Sequence, residues 1–234
     1  MSKVTTACPC CNAPLLPPFY ETGPVPVHSC LMLDTAADAL SFPTGHLSLA
    51  ACPSCGFVTN TLFDAKWSAY APEYEDQQSY SPTFNAFAAQ LAQDVIKRHN
   101  LHHKSALEVG CSKGDFLSLL CEHGAMQTVG IDPGAVAGRI APPKSGSLRL
   151  INDYYSAKHL KYRADLLCCR HTLEHIRPVH QTLALMHRHM RQNPGAVLLI
   201  EVPDATRIWQ QLAFEDIYYE HCSYFTAASL AAAV

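Results

Sequence analysis

Leu107-Glu-Val-Gly-Cys-Ser-Lys-Gly-Asp-Phe116 reads as a buried strand, a glycine turn and the start of a helix. Gly130-Ile-Asp-Pro133 reads as a second strand that ends on an acidic residue roughly twenty positions later, the layout of a nucleoside-binding βαβ half. Gly110 and Gly114 let backbone approach a ligand where a side chain would collide. Asp132, at the carboxyl end of the second strand, is placed to accept hydrogen bonds from both hydroxyls of a ribose. A NAD fingerprint calls for a third glycine, and Gly110-Cys-Ser-Lys-Gly114 has two.

Further strand signals flank this pair, with helices between them. Residues 106–109, 128–131, 148–151, 164–168 and 197–202 read as strands, and 114–123, 156–162 and 178–192 as helices, the last stopping at Asn193-Pro-Gly195. Alternation of this kind predicts an α/β fold, a doubly wound parallel sheet of Rossmann type. Before it, Ser81 caps a helix with Pro82 in its first turn, and Phe84, Phe87, Ala88, Leu91 and Val95 form its apolar stripe.

The amino-terminal segment has a different chemistry. Cys8-Pro-Cys-Cys11 and Cys52-Pro-Ser-Cys55 are two CxxC knuckles about forty residues apart. Four thiolates close the shell of a tetrahedral ion, so Cys8, Cys11, Cys52 and Cys55 predict a structural zinc site. Gly56 and Asn12 suit the left-handed turns that aim backbone amides at sulfur. The segment is rich in proline and poor in periodic structure, so metal binding is expected to supply most of its folding free energy. Cys10 and Cys30 fall outside the pattern, with His28 near enough to Cys30 to serve as a substitute ligand. The predicted organisation is a zinc-binding domain over 1–68, a connector and first helix over 69–103, and a nucleoside-binding domain over 104–234.

Composition sets limits. With 234 residues, 48% of them hydrophobic, and a net charge of −3, the chain can bury a core. It lacks the basic face a nucleic-acid partner requires. No apolar run reaches the ~18 residues of a membrane span, so no membrane partner is expected. Eleven cysteines without a secretory leader point to the cytoplasm and to metal rather than disulfides.

Ligands of such sheets sit beyond the carboxyl ends of the strands. There the chain places Asn152-Asp153, then Cys169-Arg-His-Thr-Leu-Glu-His-Ile-Arg-Pro178, then Glu201-Val-Pro-Asp204 and Asp216-Ile-Tyr-Tyr-Glu-His-Cys-Ser-Tyr-Phe-Thr226. Asn152 and Asp153 are placed to receive an adenine amino group. His175, Glu220 and His221 fall where a substrate must lie, whereas His187 and His189 read as a solvated helix face.

The knuckles, the tyrosine-rich connector, Leu-Glu-Val-Gly-Cys, Thr-Leu-Glu-His-Ile and Tyr-Glu-His-Cys-Ser-Tyr-Phe together resemble the zinc-containing class I S-adenosylmethionine (SAM) methyltransferases. The well-understood members of that family C-methylate nucleotide-linked deoxy-keto-sugars. The resemblance implies SAM as cofactor, held by Glu108, Gly110, Cys111 and Gly114, by Asp132 and Pro133, by Asn152 and Asp153, and by Arg170 and His171. It implies a small-molecule acceptor, with a nucleotide-linked sugar as the model. His221 then matches the base that takes a proton from carbon beside a ketone, and Glu220, His175 and Tyr218 match its neighbours. Tyr74 or Tyr80 corresponds to a connector tyrosine that reaches the family's site. A neutral imidazole suits the base role at cellular pH, worth ~10²–10⁴ in rate. Glu220 is expected to hold a sugar hydroxyl.

In this family a helix and two strands follow the Glu-His segment, and here the sequence stops at Ser229-Leu-Ala-Ala-Ala-Val234. The expectation is a truncated or reduced member whose open sheet edge favours homo-oligomers. Two rivals remain from other classes. A zinc-ribbon adaptor would keep the fold without turnover. His171-Thr-Leu-Glu-His175 also fits the His-x-x-Glu-His pattern of inverted zinc peptidases. Within the enzyme class, an O- or N-methyltransferase fits the same cofactor motif.

Overall fold

The computed structural model describes residues 4–67, 78–136 and 138–234; Tyr74 lies outside them. In chain order come β1 (Tyr20–Pro26), α1 (Ala36–Ser41), β2 (Thr44–Ala51), β3 (Val58–Asn60) and α2 (Pro82–His99). β4 (Ser105–Val109), α3 (Asp115–Gly124), β5 (Gln127–Asp132), β6 (Ser147–Asn152) and β7 (Leu166–Arg170) follow. α4 (Val179–Gln192), β8 (Val197–Glu201), α5 (Ala205–Gln211), β9 (Ser223–Tyr224) and α6 (Ala227–Ala233) complete the order. These elements gather into two compact units, residues 70–170 with 185–201 and residues 1–69 with 171–184 and 202–234.

The first of these, the parallel unit, is built on a five-stranded sheet of order β6-β5-β4-β7-β8, every pair parallel. β4 is central, and the chain winds outward from it in both directions, which opens a crevice at its carboxyl end. Leu166, Leu167, Cys168 and Cys169 are fully buried, as strands covered on both faces must be. Ala92 and Ile96 of α2 and Leu117 and Leu120 of α3 share one core cluster with Ala106, Leu166 and Cys168.

α2 starts as its sequence predicts: the Phe84 N–H donates to Ser81 Oγ at 3.2 Å, with Pro82 in the first turn. It ends on Asn100, left-handed at φ 58°, after Lys97, Arg98 and His99, whose charge favours the carboxyl end of the dipole. The buried stripe, however, is Ala88, Ala92, Val95 and Ile96, and Phe87 is exposed. The small alanines let the helix approach its neighbours closely, so the packed face is rotated from the one the aromatic residues mark.

β7 also starts later than expected, at Leu166. Asp165 Oδ2 accepts both the N–H and the hydroxyl of Ser105, at 2.9 and 2.8 Å, and holds the strand entry at that point. The shift carries Arg170 into the strand, opposite Glu201 of β8. The expected helix over 156–162 is a single 3-10 turn, Ala157–Lys161.

The second, antiparallel unit corrects the expectation of little periodic structure near the knuckles. It holds a four-stranded antiparallel sheet of order β1-β2-β3-β9. Leu49 pairs with Asn60, and Val58 pairs with Tyr224. Leu49, Val58 and Tyr224 bury with Ala205 and Ile208 of α5. Phe57 meets Phe225 edge to face at 5.0 Å. Several apolar partners of this segment, Ala205, Ile208, Tyr224 and Phe225 among them, come from more than 140 positions downstream, so local periodicity does not announce its core.

Candidate functional site

In the parallel unit the glycine loop leaves β4 through three left-handed residues, Gly110 at φ 72°, Ser112 at 48° and Gly114 at 91°. A Cβ on Gly130 would lie 2.4 Å from Cys111 Sγ, so only glycine in β5 lets the loop settle on the sheet. Asp132 braces this loop: Oδ2 accepts the Ser112 N–H at 2.9 Å and Oδ1 accepts the Gly134 N–H at 2.6 Å.

Glu108 is buried at the end of β4, and burial pushes its carboxyl up to about 7 against the opposing pull of Arg170. Its Oε2 has no hydrogen-bond partner among the described residues. Arg170 Nε donates to Glu201 Oε2 at 2.6 Å, and its guanidinium lies 4.0 Å from the centre of the Phe116 ring. Asn152 spends its amide on the loop after β5, donating to the carbonyls of Pro133 and Ala135 at 2.8 and 3.0 Å. Asp153 pairs with Lys158 and with His159 Nε2 at 3.3 Å, and the Lys158 contact holds its carboxyl below the usual range. Lys113, absent from the sequence-based set, is buried within the glycine loop.

The antiparallel unit collects Glu174, His175, Tyr218, Glu220 and His221. His175 Nδ1–H donates to the Glu220 carbonyl at 3.1 Å. His221 Nδ1–H donates to the Asp216 carbonyl at 3.1 Å, which leaves Nε2 to accept the Tyr218 hydroxyl at 2.5 Å. The two imidazoles meet edge to face at 4.9 Å. Burial, then the neighbouring charge of His221, pushes His175 down to about 3; burial likewise pushes His221 down to about 4, against the Asp216 carbonyl. Both rings are neutral near pH 7. Burial, reinforced by the charge of Glu174 and Glu220, raises the Tyr218 phenol above its ordinary range.

Glu220 accepts from His28 Nδ1 at 3.0 Å and from the N–H and hydroxyl of Ser29 at 2.7 and 2.6 Å. These bonds occupy the carboxylate that the sequence assigns to a sugar hydroxyl. His28 is therefore at Glu220, not among the thiols. Ser29 escaped sequence reasoning altogether, because its partner is 191 positions away. Tyr80 is exposed.

His171-Thr-Leu-Glu-His175 does not form the α-helical turn that a pair of peptidase ligands requires. His171 is left-handed at φ 47°, and Leu173–His175 is a 3-10 turn. His171 Nδ1 lies 3.9 Å from Glu174 Oε1. The inverted-peptidase reading fails on this geometry. His189 also departs from expectation. It is fully buried on α4, where burial pushes its imidazole down.

The sulfurs of Cys8, Cys11, Cys52 and Cys55 all lie within 4.8 Å of one another. Cys8 to Cys55 is 3.7 Å and Cys11 to Cys52 is 3.5 Å. A tetrahedron of Zn–S bonds of about 2.3 Å has edges of ~3.8 Å, so the donor set fits zinc in both chemistry and size. Asn12 at φ 63° and Gly56 at φ 71° take the left-handed turns expected of the knuckles. Cys10 is buried nearby, and Cys30 is outside this group.

A protein-family model described as a methyltransferase domain matches residues 83–234. No curated protein matches the chain significantly. Among solved structures, the plantazolicin methyltransferase BpumL, in complex with a monoazolic desmethylPZN analog and SAH, aligns at 12% identity and a TM-score of 0.46. That alignment covers 66% of this chain and 63% of that one. A SAM dependent methyltransferase from Archaeoglobus fulgidus aligns at 19% identity and a TM-score of 0.42, covering 61% and 65%. The Burkholderia thailandensis 1,6-didemethyltoxoflavin-N1-methyltransferase aligns at 14% identity and a TM-score of 0.43, covering 87% and 85%. The chain thus spans less than two thirds of the length of the first two.

Proposed function

The chain belongs to the methyltransferase-domain family, and we propose that it transfers the methyl group of SAM to a small-molecule acceptor. The observation that carries this reading is Asp132 at the end of β5, whose carboxylate braces the glycine loop through the N–H groups of Ser112 and Gly134. Glu108 supports it. A buried carboxyl with an unpartnered oxygen fits a ligand that brings its own cation, and SAM carries an ammonium and a sulfonium. When bound, SAM supplies an electrophilic methyl group on sulfur.

The acceptor class we propose is a nucleotide-linked keto-sugar, methylated at the carbon beside its ketone. Deprotonation there is driven by the basicity of His221, neutral near pH 7 and fixed in one tautomer by the Asp216 carbonyl. His175, with its Nδ1–H on the Glu220 carbonyl and its ring edge to face with His221, is the proposed neighbour of that base. Glu220 positions this backbone rather than the sugar. Cys8, Cys11, Cys52 and Cys55 would hold a structural zinc ion, with no open position for chemistry. No helix among the described residues is long and apolar enough to cross a membrane.

Calorimetry of the full chain with SAM and S-adenosylhomocysteine tests the cofactor. Micromolar binding lost in Asp132→Ala is the expected result; absence of binding favours a non-catalytic adaptor. Incubation with methyl-labelled SAM and a panel of keto-sugar nucleotides tests the acceptor. Label bound to sugar carbon supports C-methylation, whereas label on oxygen or nitrogen assigns the acceptor to the other classes.

A further inference from the structure

We infer that Tyr218 is the group that touches the acceptor, and that His221 acts through it by receiving the phenolic proton. The inference deepens the proposed methyl transfer and rests on that reading for the identity of the carbon acid.

Both nitrogens of His221 are committed. Nδ1–H is on the Asp216 carbonyl, and Nε2 holds the Tyr218 hydroxyl at 2.5 Å. Rings enclose the imidazole: Tyr218 with centroids 3.9 Å apart, His175 at 4.9 Å and Tyr224 at 6.4 Å. His221 is 5% exposed and Tyr224 3%, whereas Tyr218 is only partly buried. The lone pair that could act as base therefore faces the phenol of Tyr218, the partly buried residue of the group. A proton from outside reaches Nε2 by way of the Tyr218 oxygen.

The step balances. The carbon–hydrogen bond beside the ketone breaks, and its electron pair becomes the enolate. That proton forms a new O–H bond on Tyr218 while the original phenolic proton passes to His221 Nε2, leaving an imidazolium opposite the enolate. The enolate pair then forms the carbon–methyl bond as the methyl–sulfur bond breaks and a neutral thioether departs. The imidazolium proton returns through Tyr218 to water. Because burial and the charge of Glu174 and Glu220 hold the phenol protonated, the two transfers must be concerted. His221 is then a relay that makes Tyr218 a base without a standing phenolate.

A sulfonyl fluoride tests this without SAM or acceptor. Phenylmethanesulfonyl fluoride on the full chain, read by peptide mass spectrometry, should modify Tyr218 at least ~10-fold faster than the exposed Tyr80 and Tyr154. The rate at Tyr218 should fall ~10-fold in His221→Asn. Label on His221 itself, or labelling of Tyr218 indifferent to His221→Asn, would overturn the relay. Should His221→Asn not fold, proton NMR of the native chain replaces it. A strongly downfield exchangeable proton absent from Tyr218→Phe supports the relay, and a spectrum unchanged by that substitution rejects it. Tyr218→Phe keeps the ring stack and removes one oxygen. With labelled SAM and a keto-sugar nucleotide it should lose ~10²-fold or more in kcat. Unchanged kcat rejects the relay while leaving methyl transfer intact; lack of turnover by the native chain with preserved labelling rejects the acceptor reading instead.

Discussion

Glu108 shows how one buried carboxyl links stability to ligand binding. Its folded pKa of about 7 exceeds the ordinary 4.5, so the native state holds a proton that the unfolded chain has released between those values. Its contribution to stability is present at low pH and is lost as pH rises through that window, by about 3 kcal/mol in all. Urea unfolding without ligand should show the native chain losing stability relative to Glu108→Gln between pH 5 and 8. A constant difference would refute the burial argument. Asp132 is a contrasting case, with two backbone N–H donors fixing its carboxylate. Asp132→Asn should weaken SAM binding by ~10–100-fold, since charge-assisted hydrogen bonds contribute about 1.5–3 kcal/mol each; calorimetry reads it. The types and positions of both residues were legible in sequence, because strand ends in such sheets face ligand. The donors that His28 and Ser29 bring to Glu220 were not, since they approach it from a distant segment.

Elements differ in how much of their geometry is local. α2 depends on Ser81, whose hydroxyl takes the Phe84 N–H. Ser81→Ala should cost about 1 kcal/mol, or roughly 2–4 °C in Tm for a chain of this size, with SAM affinity unchanged. β5 depends on Gly130 in a different way, because Cys111 and Leu117 occupy the space a methyl group would need. Gly130→Ala should cost about 1–3 kcal/mol through overpacking. The strain falls on the glycine loop, so calorimetry should also show SAM affinity reduced. A variant of native affinity would mean that the loop does not rest on β5. Capping and strand limits follow from neighbours within one βα unit, so boundaries over 105–132 could be read closely. The buried face of α2 could not, because close approach of alanines outweighs the mark of Phe84 and Phe87.

At the scale of the whole molecule, two units carry different stabilising chemistry. The parallel unit has an apolar core; the antiparallel unit joins a modest core to four clustered thiols. Metal analysis should find one zinc per chain, lost on replacing Cys52 and Cys55 with serine. Chelation should raise hydrogen exchange across residues 44–60 and 223–225 before it affects the parallel strands. Uniform exchange would show that the metal contributes little to that sheet. The sequence by itself determined the parallel α/β fold, the glycine loop with its acidic partner and the four-cysteine set. Each is written in short-range spacing: strand–turn–helix alternation, two glycines in a loop, paired knuckles. Only the tertiary structure decided the antiparallel sheet that β9 completes, the clamp of His28 and Ser29 on Glu220, and the enclosure of His221 behind Tyr218. The sheet and the clamp join residues more than 160 positions apart, and His175 and Tyr224 wall the imidazole only once strand and turn have met. Contacts of that kind depend on which surfaces meet during packing, and no local pattern of residue types encodes them.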